Sequence, residues 1–267
     1  MNSKVKIGLI IAVIISLADI CLYNAVPLNK DLYIVYESSG LGLSLALVFA
    51  SFYAFRFHGH RSMQGRALLL MVIGEIFWFF ALFSYIYQGN IHGFEMFDFT
   101  ISDIFWFVGY LFLGAGLYNI FVIVKPPRLK TKHVAALGLF LFLTLVNLCI
   151  AYPAVAGLEA MPIVKWGLIL YIIADFVMLS LGVLIILSTL DTKTSRPWMV
   201  IVLGLLLSAV IDVVMTDLRI TNLFEAPPFV FSLWDISLVI GVFGYFYYRQ
   251  TMEDIVRLVS KKNEVLR

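Results

Sequence analysis

Apolar residues along this chain gather into long runs separated by short polar segments. Eight runs stand out: Ile7–Ala25, Ile34–Phe55, Ala67–Tyr87, Ile101–Val124, Val134–Tyr152, Trp166–Leu187, Trp198–Met215 and Phe229–Tyr248. Each comes close to the roughly 20 residues a helix needs, at about 1.5 Å rise per residue, to cross a hydrocarbon layer of about 30 Å. None shows the period-two alternation of a barrel wall, so the runs predict helices. The expected fold class is all-α, a polytopic membrane protein of about eight transmembrane helices.

Composition supports that pattern. The 267 residues are 62% hydrophobic and 13% charged, against about 25% charged in soluble domains. A soluble fold cannot hide so much apolar surface. Lysine and arginine collect on the cytoplasmic side of membrane proteins. Here they fill alternate loops: Lys4 and Lys6; Arg56, Arg61 and Arg66; Lys125, Arg128, Lys130 and Lys132; Lys193 and Arg196; and Arg249, Arg257, Lys261, Lys262 and Arg267. Placing these inside leaves only Lys30, Lys165 and Arg219 outside and predicts a multi-pass cell-membrane protein with both termini cytoplasmic. The first run has the flanking lysines of a signal peptide but no small-residue cleavage site, and Asp19 interrupts it, so it reads as a retained helix. Cys21 and Cys149 fall inside helices and suggest no disulfide framework. The net charge of +2 suits anionic lipid and carries no nucleic-acid footprint.

The second half lies weakly over the first. SLADICLY at Ser16–Tyr23 matches TLVNLCIA at Thr144–Ala151, and Tyr33–Glu37 matches Tyr171–Asp175. Arg66 and Gly74 match Arg196 and Gly204, and Asp103, Ile104 and Gly109 match Asp235, Ile236 and Gly241. The order is kept and the offsets change only in loops. This predicts a parallel four-plus-four internal repeat: residues 1–132 and 133–249 as four-helix membrane units, and 250–267 as a cytoplasmic helical tail.

The chemically informative residues are acids inside apolar runs, since a carboxylate at bilayer depth costs at least about 2.5–3.5 kcal/mol. They are Asp19, Glu37, Glu75, Asp103, Asp175, Asp212 and Asp235. The repeat pairs Glu37 with Asp175 and Asp103 with Asp235, suggesting two similar acidic positions facing a common interior. No lysine or arginine lies in the membrane runs to neutralise them; Lys165, at a helix end, is the nearest. Either several acids carry a proton, or they hold a cation, a proton relay or a water-filled pocket. Asp103 and Asp235 also read as helix caps, and Asp19, Glu75 and Asp175 as partners in interhelical hydrogen bonds.

His58, His60, His92 and His133 show no metal-ligand spacing, and HExxH, GxSxG, P-loop and CxxC motifs are absent. No cofactor is expected, and a retinal pigment would want a lysine deep in the last helix. The aromatic runs Phe77–Phe80, Phe105–Phe107 and Tyr245–Tyr248 read mainly as lipid-facing or belt residues. Beside acids, aromatic faces such as Trp78 and Trp106 can also bind a cation.

The stretch Ser102–Leu117, SDIFWFVGYLFLGAGL, together with Trp78, resembles the multi-helix N-terminal membrane sensor domains of prokaryotic histidine kinases and diguanylate cyclases. The resemblance covers the third and fourth helices best and the seventh and eighth weakly. It implies a module that perceives a signal in or near the bilayer and passes it through the last helix to a cytoplasmic output domain. After Arg249 only Gln250–Arg267 follow, with Ile255, Leu258, Val259 and Leu266 at helical spacing. That segment reads as the start of a signalling coiled coil or as an amphipathic helix on the inner leaflet.

Three functions stand open. The first is a sensory or partner-coupling module that binds a small ligand, or senses membrane state, through an acidic and aromatic intramembrane pocket. Its partners would be lipids, a small ligand or cation, and a cytoplasmic signalling protein. The second is a proton- or cation-coupled small-solute transporter. The third is a carboxylate-dependent lipid hydrolase, since Gly204–Val214 is similar to an Asp-containing helix of the lysoplasmalogenase group.

Overall fold

The computed structural model describes residues 3–25, 30–92, 99–125, 130–158, 160–190, 196–220 and 228–265, and within them the side chains of 22–37, 89–92, 217–220, 228–230, 261–262 and 264–265 are not described. All regular structure among them is helical: α1 (Ser3–Ala25), α2 (Lys30–His58), α3 (Met63–His92), α4 (Ile101–Val124), α5 (Thr131–Gly157), α6 (Pro162–Thr189), α7 (Arg196–Ile220) and α8 (Pro228–Val265). Seven of the eight, α2 to α8, are long and apolar enough to cross a membrane. The described part of α1 carries Lys4, Lys6 and Asp19 and falls short of that standard on charge. The chain is a multi-pass membrane protein.

Its surface fits that medium. Leu111, Leu141, Phe142, Ile150, Phe49 and Trp166 are all exposed, an arrangement a soluble monomer avoids because contiguous apolar patches associate. Helix α5 is the extreme case, with scarcely any of its apolar side chains covered by protein. Helix α2 ends at Gly59, whose φ of 61° is in the left-handed region that glycine enters without a Cβ penalty.

Six helices close a ring in the order α2, α3, α4, α6, α7, α8 and back to α2. Helix α1 packs outside on α8, and α5 outside on α6. The α3/α4 and α7/α8 neighbours are antiparallel, and glycines set their crossings. A Cβ at Gly109 would lie 2.3 Å from Trp78 and 3.2 Å from the Gly74 carbonyl; one at Gly204 would lie 2.9 Å from the Gly241 nitrogen. Small residues let helix backbones approach in this way. The α4/α6 and α2/α8 seams are parallel. Tyr171 and Asp175 of α6 reach Asp103 and Tyr110 of α4 in the same order along both helices. Gly40 approaches Asp235, and Leu47 approaches Gly241.

Gly8 of α1 lies against Phe246 and Asp19 near Asp235, so α1 runs antiparallel to α8. Both termini therefore leave the same end of the bundle, called here the termini end. The opposite end holds the starts of α4, α6 and α8. Helix α8 does not stop where the apolar run ends at Tyr248. Lacking any glycine or proline between Tyr245 and Val265, it continues through the tail as one 38-residue helix, about 57 Å long.

Candidate functional site

The acids do not converge on one cavity. Those whose side chains are described form three centres, at three different helix contacts.

The first lies inside the ring, toward the end opposite the termini. Tyr110 of α4 donates its hydroxyl to Asp175 Oδ1 of α6 at 2.5 Å, and the Tyr110 phenol oxygen also lies 3.2 Å from Asp212 Oδ2 of α7. A phenol has one proton to donate, so it cannot serve both carboxylates. Asp175 is fully buried, and its Oδ2 has no hydrogen-bond partner among the described residues. Among the described residues, the hydrogen bonds to this group leave it short of positive charge or protons by at least one. Above it opens a pocket of about 110 Å³ lined by Tyr85, Trp106, Tyr110, Tyr171, Asp212, Met215, Thr216, Phe231 and Trp234. Five ring helices contribute to that lining. Six of the nine side chains are aromatic, and the one carboxylate among them, Asp212, belongs to the charge-deficient group.

Tyr171 braces the wall by donating to Asp103 Oδ1 at 2.8 Å and stacking on Phe107 with ring centroids 4.4 Å apart. Asp103 also accepts from the Thr100 backbone N–H at 2.7 Å and the Thr100 hydroxyl at 3.0 Å. It caps the start of α4 while holding Tyr171, and so acts on the pocket through that tyrosine. Below the pocket, Trp78 meets Tyr110 edge-on at 5.4 Å. Leu68, Met71, Leu113, Leu117 and Ile120, all buried, fill the interior beyond.

The second centre is Glu75 of α3, almost fully buried, whose Oε1 accepts from the Tyr245 hydroxyl of α8 at 2.5 Å. Ser51 of α2 lies beside it, its hydroxyl donating to the Val48 carbonyl. A small cavity of about 10 Å³ adjoins the pair, lined also by Trp78 and by Ser208 and Ser237, whose hydroxyls are 2.6 Å apart. That is about the space of one water molecule.

The third joins Asp19 of α1, Ser39 of α2 and Asp235 of α8. The Ser39 hydroxyl donates to Asp19 Oδ1 at 3.4 Å, and Asp235 lies within hydrogen-bonding reach of Asp19. Asp235 is buried seven residues into α8, so it is not a helix cap. Nor does it share an interior with Asp103. Trp234 faces the pocket, and the next residue on a helix points about 100° away, which turns Asp235 toward α1 and α2. Glu37 lies on α2, but its side chain is outside the described residues. Lys165 does not neutralise the acids: its Nζ donates to the Ala156 carbonyl at 2.8 Å.

The aromatic runs divide between both readings. Phe80, Phe83 and Tyr87 face outward, whereas Trp78, Tyr245 and Tyr248 are buried and Trp106 lines the pocket. The tyrosines that organise the acids, Tyr110, Tyr171 and Tyr245, were not singled out from sequence as site residues. Tyr171 stands one helical turn before Asp175, a spacing that puts both on one face and could have marked it. Among the described residues, no three His, Cys, Asp or Glu side chains gather to hold a metal ion. Comparison with known protein families, curated proteins and solved structures finds no match.

Proposed function

We propose that this protein is a membrane sensory module that binds a small organic cation in the aromatic pocket and reports its presence through α8. The observation that carries the proposal is the six-aromatic pocket set directly on the Asp175–Tyr110–Asp212 group, which among the described residues lacks one positive charge or proton. Aromatic faces attract a desolvated cation by about 2 kcal/mol or more each, and a carboxylate at the base of the pocket adds to that. A volume near 110 Å³ admits only a compact group. An ammonium bearing small alkyl groups has that size.

The reporting role rests on the continuity of α8. Phe231 and Trp234 at its start line the pocket, Tyr245 holds Glu75 in the core, and the same helix runs on to Val265. A ligand that moves the start of α8 acts on one rigid rod. The packed interior below Tyr110 favours sensing over transport, and enclosure of the acid group by ring helices disfavours hydrolysis of a lipid entering sideways. The bias of lysine and arginine supports cytoplasmic termini, and the resemblance of Ser102–Leu117 to kinase and cyclase sensor domains agrees in kind. The same reading treats the halves as a duplication. Its support is the Gly74/Gly109 and Gly204/Gly241 crossings at matched positions, together with the parallel α4/α6 and α2/α8 seams. Helices α1 and α5 depart from it, packing on α8 and α6 respectively.

The test is tryptophan fluorescence of the purified full chain titrated with tetramethylammonium, since Trp106 and Trp234 line the pocket. The expected result is a saturable change that neutral tert-butanol does not produce and that Asp212→Asn weakens at least tenfold. An equal response to both probes, or an unchanged affinity in D212N, would overturn the reading. For the reporting role, a spin label placed at Ser260 should change mobility on addition of tetramethylammonium; a silent label with a filled pocket would limit the protein to binding.

A further inference from the structure

A second concavity lies on the outside of the ring, where α1 and α2 flank the face of α8 formed by Val239, Val242, Phe243 and Phe246. It is a groove of about 660 Å³, six times the volume of the aromatic pocket and within the range of sites for drug-sized molecules. Ile11 and Phe49 on its rims are exposed, so it opens sideways to the bilayer.

Its length and its charge identify the occupant. The lining runs from Lys4 to Ile15 along α1 and from Tyr53 to Leu43 along α2, which is about 15–17 Å at the rise of a helix. That is about half of a 30 Å hydrocarbon layer, or one leaflet. The polar residues in the lining, Lys4 and Tyr53, stand together at the termini end, and no acid belongs to it. Arg249 lies at this level with its charge already met by Glu253. Its guanidinium lies 4.9 Å from the Tyr53 ring centroid while its Nε pairs with Glu253 at 2.7 Å. Beyond that end the walls are alanine, isoleucine, leucine, valine and phenylalanine, apart from Gly8, at which a Cβ would meet Phe246 at 3.0 Å.

We infer that the groove binds one acyl chain of an anionic phospholipid from the leaflet on the termini side, with Lys4 at the level of its headgroup. The chain fills an apolar slot one leaflet deep, and the lysine selects the headgroup charge. The bound lipid becomes part of the packing between α1 and α8. The site is independent of the aromatic pocket, so the two proposals fail separately.

The experiment is native mass spectrometry of the full chain released from nanodiscs of equal parts phosphatidylcholine and phosphatidylglycerol. Wild type should retain one phosphatidylglycerol in about fivefold preference to phosphatidylcholine, the factor expected for one basic side chain at the membrane surface. Lys4→Gln should bring the ratio close to one while still retaining a lipid. Ala46→Phe, which fills the groove with an apolar side chain, should retain neither lipid; Ala50→Phe, one turn nearer the termini, replaces it if that variant does not fold. Equal retention of the two lipids by wild type, no retained lipid, an unchanged ratio in K4Q, or lipid kept at the wild-type level by the folded groove-filling variant would each overturn the inference. Release of the protein as a dimer that excludes lipid would assign the groove to a second copy and overturn it as well.

Discussion

A single methyl group at Gly204 should separate two helices. Gly204 of α7 faces α8 so closely that an added Cβ would lie 2.9 Å from both the Gly241 nitrogen and the Ser237 carbonyl oxygen. Both are backbone atoms, and neither can swing aside as a side-chain tip would. Replacing glycine by alanine in an open helix position gains up to about 1 kcal/mol, the difference in helix propensity. Forcing extra volume into a packed contact costs about 1–3 kcal/mol. Contact with two backbone atoms puts the cost toward the upper end of that range, making Gly204→Ala a net loss of up to about 2 kcal/mol. Gly138→Ala on α5 is the matched control, because a Cβ there meets nothing within 4 Å and only the propensity gain remains. Unfolding in mixed detergent and SDS micelles, followed by far-ultraviolet circular dichroism, should therefore show opposite signs for the two variants. A G204A variant as stable as wild type, or a G138A variant that loses as much as G204A, would show that the close α7/α8 contact does not set the sign.

Three further outcomes follow from named contacts. Tyr245→Phe removes the donor to the buried Glu75 carboxylate and should cost about 1–3 kcal/mol in the same unfolding assay, most of it recovered when Glu75→Leu is added; an unrecovered loss would locate the effect in packing. Trp234→Ala should weaken tetramethylammonium binding by about tenfold or more while changing unfolding little, since Trp234 is only half-buried; unchanged affinity would remove α8 from the pocket wall. Cys21 and Cys149 are exposed free thiols on α1 and α5, so membrane-permeant N-ethylmaleimide should label both and a charged sulfonate maleimide should label them far more slowly; equal rates would place these surfaces in water.

Helix existence was legible because each crossing needs its own apolar run, and at α4 the run Ile101–Val124 coincides with the helix itself. The join between the last run and the tail was less visible. Hydropathy falls after Tyr248 although nothing there breaks a helix, and α8 continues through the change. The acids were legible as a set because a carboxylate in an apolar run is conspicuous. Their grouping was not, because it depends on which faces meet across the ring: Tyr110 lies between Asp175 and Asp212 only after α4, α6 and α7 have packed. Asp103 could be read from its neighbours as a cap, since Thr100 stands three residues before it. Asp235, with the same local signature, became something else through contact with α1 and α2.

The closure of the ring by α8 also sets an order of assembly. A membrane chain is inserted helix by helix from its N-terminus, and α1 and α2 enter the bilayer carrying Asp19 and Ser39. The carboxylate that meets Asp19 belongs to α8, the last of the described helices to be made. Throughout synthesis of α3 to α7, Ser39 is the one native partner Asp19 has from this centre, and α2 lacks one of its two ring neighbours. The first two helices must wait in the lipid, or in the care of the insertion machinery, until the final one arrives.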